Sequence, residues 1–158
     1  MDKQQQPGII VKAIYQHKCS FERKQGYKGP ITSNFAFRYG YKILDDGCGM
    51  AELTLSAKGI SKDTQVAVYE SEITFIGVFS CLEGAKNMSV EDFLANNAPA
   101  LLMPYIRESL SGLSAKAGLP AVYLPPINIM ALMSQQALEK KEEPTVTKTK
   151  KSSKLASE

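Results

Sequence analysis

Apolar residues recur at every second position through the first half of this chain, and at steps of three and four through the second. Period two marks strands that bury one face, and steps of three and four mark a helix with one apolar stripe. From Ile9 the odd positions read Ile9, Val11, Ala13, Tyr15, His17, Cys19 and Phe21, and the more polar Lys12, Gln16, Lys18, Ser20 and Glu22 lie between them. A polar loop punctuated by Gly26, Gly29 and Pro30 follows. The second strand sets Phe35, Phe37, Tyr39, Tyr41 and Ile43 against Ala36, Arg38, Gly40 and Lys42. Asp45-Asp46-Gly47 is turn chemistry, because Gly takes positive φ without cost and Asp tolerates it. A third strand alternates Ala51, Leu53, Leu55 and Ala57 with Glu52, Thr54, Ser56 and Lys58. A polar turn around Ser61 to Asp63 leads into a fourth, from Gln65 to Ser80. The pattern predicts a four-stranded antiparallel sheet. In the fourth strand Tyr69, Ile73, Phe75 and Phe79 keep one face apolar, but Ile76 and Val78 make the other face apolar too. A small domain does not easily cover both faces of its own sheet, so a neighbouring subunit is the expected cover.

The second half predicts helices. Ser89, with Asp92 three residues on, is a capping arrangement. Leu102, Ile106, Leu110, Leu113 and Ala117 form one apolar stripe at steps of four, four, three and four. Pro99 and Pro104 predict a break or kink in that run, and Gly118 is a natural C′ residue closing it. Leu119 to Pro126, with three prolines among Val122, Tyr123 and Leu124, reads as an extended crossover. Asn128 then caps a second helix, Ile129 to about Glu139. The rest of the chain, from Glu139 to Glu158, carries six lysines and four glutamates with almost no large apolar group. It is expected to be a disordered tail, as residues 1–8 are expected to be a flexible N-terminus. The fold class is α+β, with one domain over residues 9–138.

Composition narrows the function by exclusion. At 158 residues, 44% hydrophobic and 22% charged, the chain is an ordinary globular protein with room for one core. The net charge is +3, of which the tail supplies two, so the body argues for neither nucleic acid nor a membrane surface. Lys148, Lys150, Lys151 and Lys154 read as a solvated tail, since the sheet carries no aromatic RNA-binding motif. Three cysteines, Cys19, Cys48 and Cys81, with no CxxC spacing, suit a reducing cytoplasm and are expected to be small buried hydrophobes. No apolar run has signal-peptide or membrane-spanning length. The single histidine, His17, is expected to be a packed or interface residue. With Cys19 it makes a poor dyad, because it needs a third, orienting group, and a Cys/His enzyme is a remote alternative. There is no metal-ligand spacing, Walker loop, GxGxxG or GxSxG, so neither metal nor cofactor is expected.

The motifs point further. GVFS at the end of the fourth strand, LLMPYIRESLSGL and GLPAVYLPPINIMAL follow one another between Gly77 and Leu132. In this order they resemble the SecB chaperone family, which has a GIFS-like strand end, an FPYARE-like helix and an LAPVNF-like entry to its last helix. IYQHKCSFE in the first strand is similar to that family's IYTKDISFE. The match spans roughly residues 9 to 138. The resemblance implies a four-stranded sheet followed by a long helix, a crossover and a second helix, assembled as a dimer of dimers. Grooves between sheet, crossover and last helix would hold unfolded polypeptide without ATP and keep it competent for export. Tyr15, Phe21, Val122, Leu124, Met130, Leu132 and Met133 are the candidate groove lining. Ile73, Phe75, Leu102, Ile106, Leu110 and Leu113 are the candidate oligomer contacts. Glu22 and Glu72 match two carboxylates with which the family meets the export ATPase SecA. Lys18 stands where the family has Asp, and Met130 replaces an Asp just inside the last helix. SecB-like proteins that guard an antitoxin keep that partner as the alternative.

Overall fold

The computed structural model describes residues 8–24, 29–85 and 87–142, with side chains described through residue 135. Strands β1 (Ile9–Arg23), β2 (Ile31–Ile43), β3 (Gly49–Ser61) and β4 (Ala67–Cys81) form one antiparallel sheet in the order β1-β4-β3-β2. Helices α1 (Val90–Asn96), α2 (Ala98–Lys116) and α3 (Ile129–Glu142) follow. The α+β class and all four strands agree with the alternation in the sequence. Helix α3 runs past Glu139 into the stretch expected to be tail, and residues 1–7 and 143–158 lie outside the described residues.

Odd-numbered residues of β2, β3 and β4 face the helices, and the alternation is broken only at the start of β4, where the register against β3 slips and Val68 is buried beside Tyr69. Strand β1 does not keep it. Its register against β4 slips between Val11 and Ala13 and again between Gln16 and Lys18. Each slip inserts one extra residue and reverses which parity faces inward. Ile9, Ile14 and Phe21 pack on the core, while Val11, Ala13, Tyr15, His17 and Cys19 are exposed. Between the slips Ala13 and Tyr15 turn to the outer face, opposite Val78 and Ile76, and His17 is left out of register, so the inward reading of these three is corrected on that ground. Val11 and Cys19 keep the inward parity, opposite Phe79 and Ile73, and are exposed on the edge strand of the sheet. Cys81 is exposed as well, and only Cys48 is the buried cysteine expected.

The helices close over one face. Ser89 caps α1, its hydroxyl accepting from the Asp92 amide at 3.0 Å, as its spacing predicts. The chain breaks at Asn97, with Pro99 in the first turn of α2, but Pro104 causes no interruption. The carbonyl of Ala100, which loses its helical partner to that proline, belongs to an exposed residue open to solvent. A β-carbon at Gly77 would meet Leu102 at 3.2 Å, so the missing side chain lets α2 lie close to β4. Leu102, Ile106 and Leu110 are each 0% exposed, as are Leu55, Ile73 and Phe79 of the sheet. Leu113 packs part-buried on the same cluster, and Phe75 makes a ring contact with Tyr105 at 5.7 Å. The residues assigned from sequence to subunit contacts thus form the chain's own core, because the stripe of α2 finds its apolar partner in its own sheet. Ile76, expected to need a second subunit, is already 4% exposed within the single chain.

Candidate client-binding groove

Between α2 and α3 the chain runs extended, and three features hold it so. Gly118 takes φ +72°, which ends α2 as its position predicts. Arg23 reaches from β1 to donate to the Ala117 carbonyl at 2.6 Å, satisfying a helix-end acceptor. Ser114, fully buried, accepts from the Val122 amide at 2.8 Å while its hydroxyl lies 2.9 Å from the Leu110 carbonyl and 3.0 Å from that of Ser111. Leu119 and Leu124 anchor the two ends of the segment in the core, each 5% exposed. Asn128 then caps α3 through its side chain, which accepts from the Ala131 amide at 3.1 Å. Prolines 120, 125 and 126 bar a helix throughout.

This anchored crossover stands beside the start of β2 and leaves a slot of about 310 Å³. Ile31, Ser33 and Phe35 line it from β2, Pro30 from the loop before, and Pro120, Val122 and Tyr123 from the crossover. Tyr123 is 72% exposed at its margin, the most open large hydrophobic side chain among the described residues. Behind Ser33 lies a fixed aromatic wall. The Tyr69 hydroxyl donates to Ser33 at 2.7 Å, and the Tyr69 ring stacks on Phe21 at 5.1 Å. Burial and loss of solvent raise the Tyr69 hydroxyl above its usual range, so it stays a neutral donor.

Of the lining expected from sequence, only Val122 borders the slot. Phe21 stands one ring behind it, and Leu124 is in the core. Met133 packs part-buried on the core, Leu132 is part-buried, and Met130 is 53% exposed on α3. Tyr15 is carried by its bulged strand to the opposite face, across from Ile76. Sequence reasoning missed Ile31, Phe35, Pro120 and Tyr123. The period-two signal that continues back from Phe35 to Ile31 marks the first two.

The outer face of the sheet, which no helix covers, holds a larger hollow of about 540 Å³. Register places Ala36, Ser56, Glu72 and Ser20 in one row across the four strands, and Asn34, Lys58, Glu70 and Glu22 in the next. Its carboxylates are paired. Glu72 meets Lys18 at 2.6 Å, Glu22 meets Lys24 at 2.8 Å, and Glu70 lies 3.7 Å from Lys58 and 3.9 Å from Lys24. The hydrogen bond from Lys18 holds the Glu72 carboxyl below the ordinary carboxylate range, and the one Lys24 donates to Glu22 holds the Lys24 ammonium above its own. Among the described residues no cluster of three or more His, Cys, Asp or Glu gathers to hold a metal ion, and no helix is long and apolar enough to cross a membrane.

Comparison with known proteins bears on this arrangement directly. The profile of the family described as preprotein translocase subunit SecB matches residues 2–140. The chain belongs to the SecB family. It is 28% identical over 141 residues to the protein-export protein SecB of Neisseria meningitidis, covering 86% of this chain and 95% of that one. It is 34% identical over 140 residues to that of Methylococcus capsulatus, covering 85% and 90%. Its fold is similar to the SecB-like chaperone of Mycobacterium tuberculosis, solved with a peptide from an antitoxin, at a TM-score of 0.64 and 17% identity over 77% of this chain and 91% of that one. SecB proteins are chaperones of protein export rather than enzymes. Against the family pattern the departure at Lys18 acquires a physical meaning, since its ammonium neutralises Glu72 on the face where an acidic residue would have added charge.

Proposed function

We propose that this SecB-family chain is an ATP-independent cytoplasmic chaperone that holds unfolded preproteins in the slot between β2 and the crossover and passes them to SecA. The slot, with Ile31, Phe35 and Val122 on its walls and Tyr123 exposed at its margin, is the observation that supports holding. An unfolded chain exposes apolar side chains, and burying roughly 100 Å² of one yields about 2.5 kcal/mol without asking for a particular sequence. Aromatic rings suit the task, giving large contact at low cost in conformational entropy. The test is suppression of aggregation of a slow-folding client in the absence of nucleotide. Val122→Asp, which puts a charge into the slot, is expected to abolish most of that suppression while circular dichroism stays unchanged. Full suppression by this variant would remove the slot from the reading.

Homotetramers complete the proposal. β1 is an edge strand with an unpaired outer side and Val11 49% exposed, and it suits pairing of two sheets. Leu101 and Tyr105, 36% and 42% exposed on the outward side of α2, suit the joining of two such pairs. Light scattering at micromolar concentration is expected to return four chains, and a monomer would overturn the assembly. Transfer to SecA rests on Glu22 and Glu72. A chaperone serving a single antitoxin would use the same slot and leave those carboxylates idle.

A further inference from the structure

Beyond the ion-paired hollow, the outer face changes character. Register sets Tyr15, Ile76, Glu52 and Gly40 in one row across the sheet, and Val78, Met50 and Lys42 in the next, with Ile10 opposite Ser80 beyond them. On the near side of these rows, Lys18 and Arg38 flank Thr74 and Thr54. Ile10 and Tyr15 are 41% and 45% exposed, Met50 and Val78 are part-buried, and Ile76 lies between them. The result is an apolar patch on a face that none of the helices covers, and its rim is cationic. Arg38 and Lys42 are exposed and lie within 4 Å of no carboxylate among the described residues, although the Arg38 charge reaches Glu72 and Glu52 stands on the diagonal to both. Glu52 is the one carboxylate in these rows.

We propose that this patch docks an acidic amphipathic segment of a protein partner, with apolar side chains on Tyr15, Val78 and Met50 and carboxylates on Arg38 and Lys42. Charge decides the sign of the partner. A basic segment would meet these two cations, and a second copy laid face to face over the patch would bring Arg38 and Lys42 against their own kind. The neighbouring hollow fixes direction, because an acidic segment sliding toward it would meet Glu70, Glu72 and Glu22. The surface is separate from the slot, so the proposal goes beyond client holding and does not depend on it.

The probe is a fluorescein-labelled synthetic amphipathic peptide of leucine and glutamate, compared with its twin carrying lysine in place of glutamate. The acidic peptide is expected to bind saturably, more weakly as salt rises, and to shift the Tyr15 and Val78 resonances. Arg38→Glu with Lys42→Glu is expected to weaken it about tenfold or more while suppression of client aggregation is retained. Both side chains are exposed and outside the core, so the fold should persist. Arg38→Gln with Lys42→Gln guards against a folding artefact by giving an intermediate loss. Equal or tighter binding of the lysine peptide overturns the proposal, as does unchanged affinity in the double Glu variant. Loss of the acidic peptide in Val122→Asp would place it in the slot instead. Self-association that the double variant abolishes would make a second copy the occupant, and binding to anionic phosphatidylglycerol vesicles in place of the peptide would make it a lipid surface. Either result sinks the assignment.

Discussion

On the inner face of the sheet Leu53, Leu55, Ile73 and Phe79 are at most 1% exposed, beneath Leu102, Ile106 and Leu110. One residue along the same strands, on the outer face, Ser56, Lys58 and Glu70 stand open to water. The inner face is dry and filled, so nearly every side chain on it is fixed by packing. The outer face contributes little burial except at its centre, where Thr54 and Thr74 share a hydrogen bond of 2.8 Å and Ile76 is shielded by its neighbours. Its remaining residues are thereby free to be chosen for what they meet. The difference teaches that stability is carried by the inner face, while the outer face and the β2 margin, where the inner face runs out of helix, are held less by packing.

The strongest way to break the comparison is to empty the inner face. Ile106→Ala removes buried atoms from a side chain 0% exposed and is expected to cost about 2–5 kcal/mol, read as an earlier midpoint in urea unfolding. Were Ile106 instead an oligomer contact, the variant would change the scattering mass and leave the protomer's unfolding at high concentration where it was. That outcome would move the stripe of α2 back to the subunit interface.

How much of this was legible depends on the face. Strands β2 and β3, and β4 beyond its first residues, keep one register, so Leu53, Leu55, Ile73 and Phe79 could be placed from sequence alone. In β1 two bulges reverse the parity, and no local pattern announces them, because Tyr15 and Phe21 look alike in a list of odd positions. The caps at Ser89 and Asn128 and the stop at Gly118 were readable because each has a fixed chemistry at a fixed position. The slot was half readable: Val122 followed from the proline-rich crossover, but its β2 wall depends on a tertiary approach that no spacing encodes. The ion pairs of the outer face were beyond reach for the same reason. Lys18 and Glu72 are 54 residues apart, and only the register of β1 against β4 brings them together.

Those pairs give the next prediction, which sharpens what the outer face does. If transfer to SecA uses Glu22 and Glu72, converting both to Lys should weaken SecA binding about two- to fivefold, the size of exposed ion-pair effects, and leave client holding intact. Lys18→Asp should act in the opposite direction, freeing Glu72 and adding a carboxylate beside it. Calorimetric titration with SecA at two salt concentrations reads both. Silence in both variants would remove SecA from this face and favour the dedicated antitoxin chaperone.

The smallest expected effect lies within one pair. The Lys18 ammonium donates to the Glu72 carboxylate at 2.6 Å and holds its titration below the ordinary value of 4.5. A folded-state carboxyl depressed in this way contributes stability that is fully present above its unfolded value and is lost as pH falls through the depressed one. Wild-type protein should therefore keep Glu72 charged at acidities where Lys18→Met has already protonated it. Because Lys18 is exposed and Glu72 is only part-buried, the consequence for unfolding is slight, and the carbon-13 resonance of the carboxyl is the suitable readout. Raising the salt concentration should move the wild-type midpoint upward, toward that of the variant, since screening weakens an exposed pair. A midpoint that is the same in both proteins would mean that Lys18 does not engage Glu72 in solution. The outer face would then present a free carboxylate to its partner, and the argument that Lys18 blunts an acidic docking surface would fail with it.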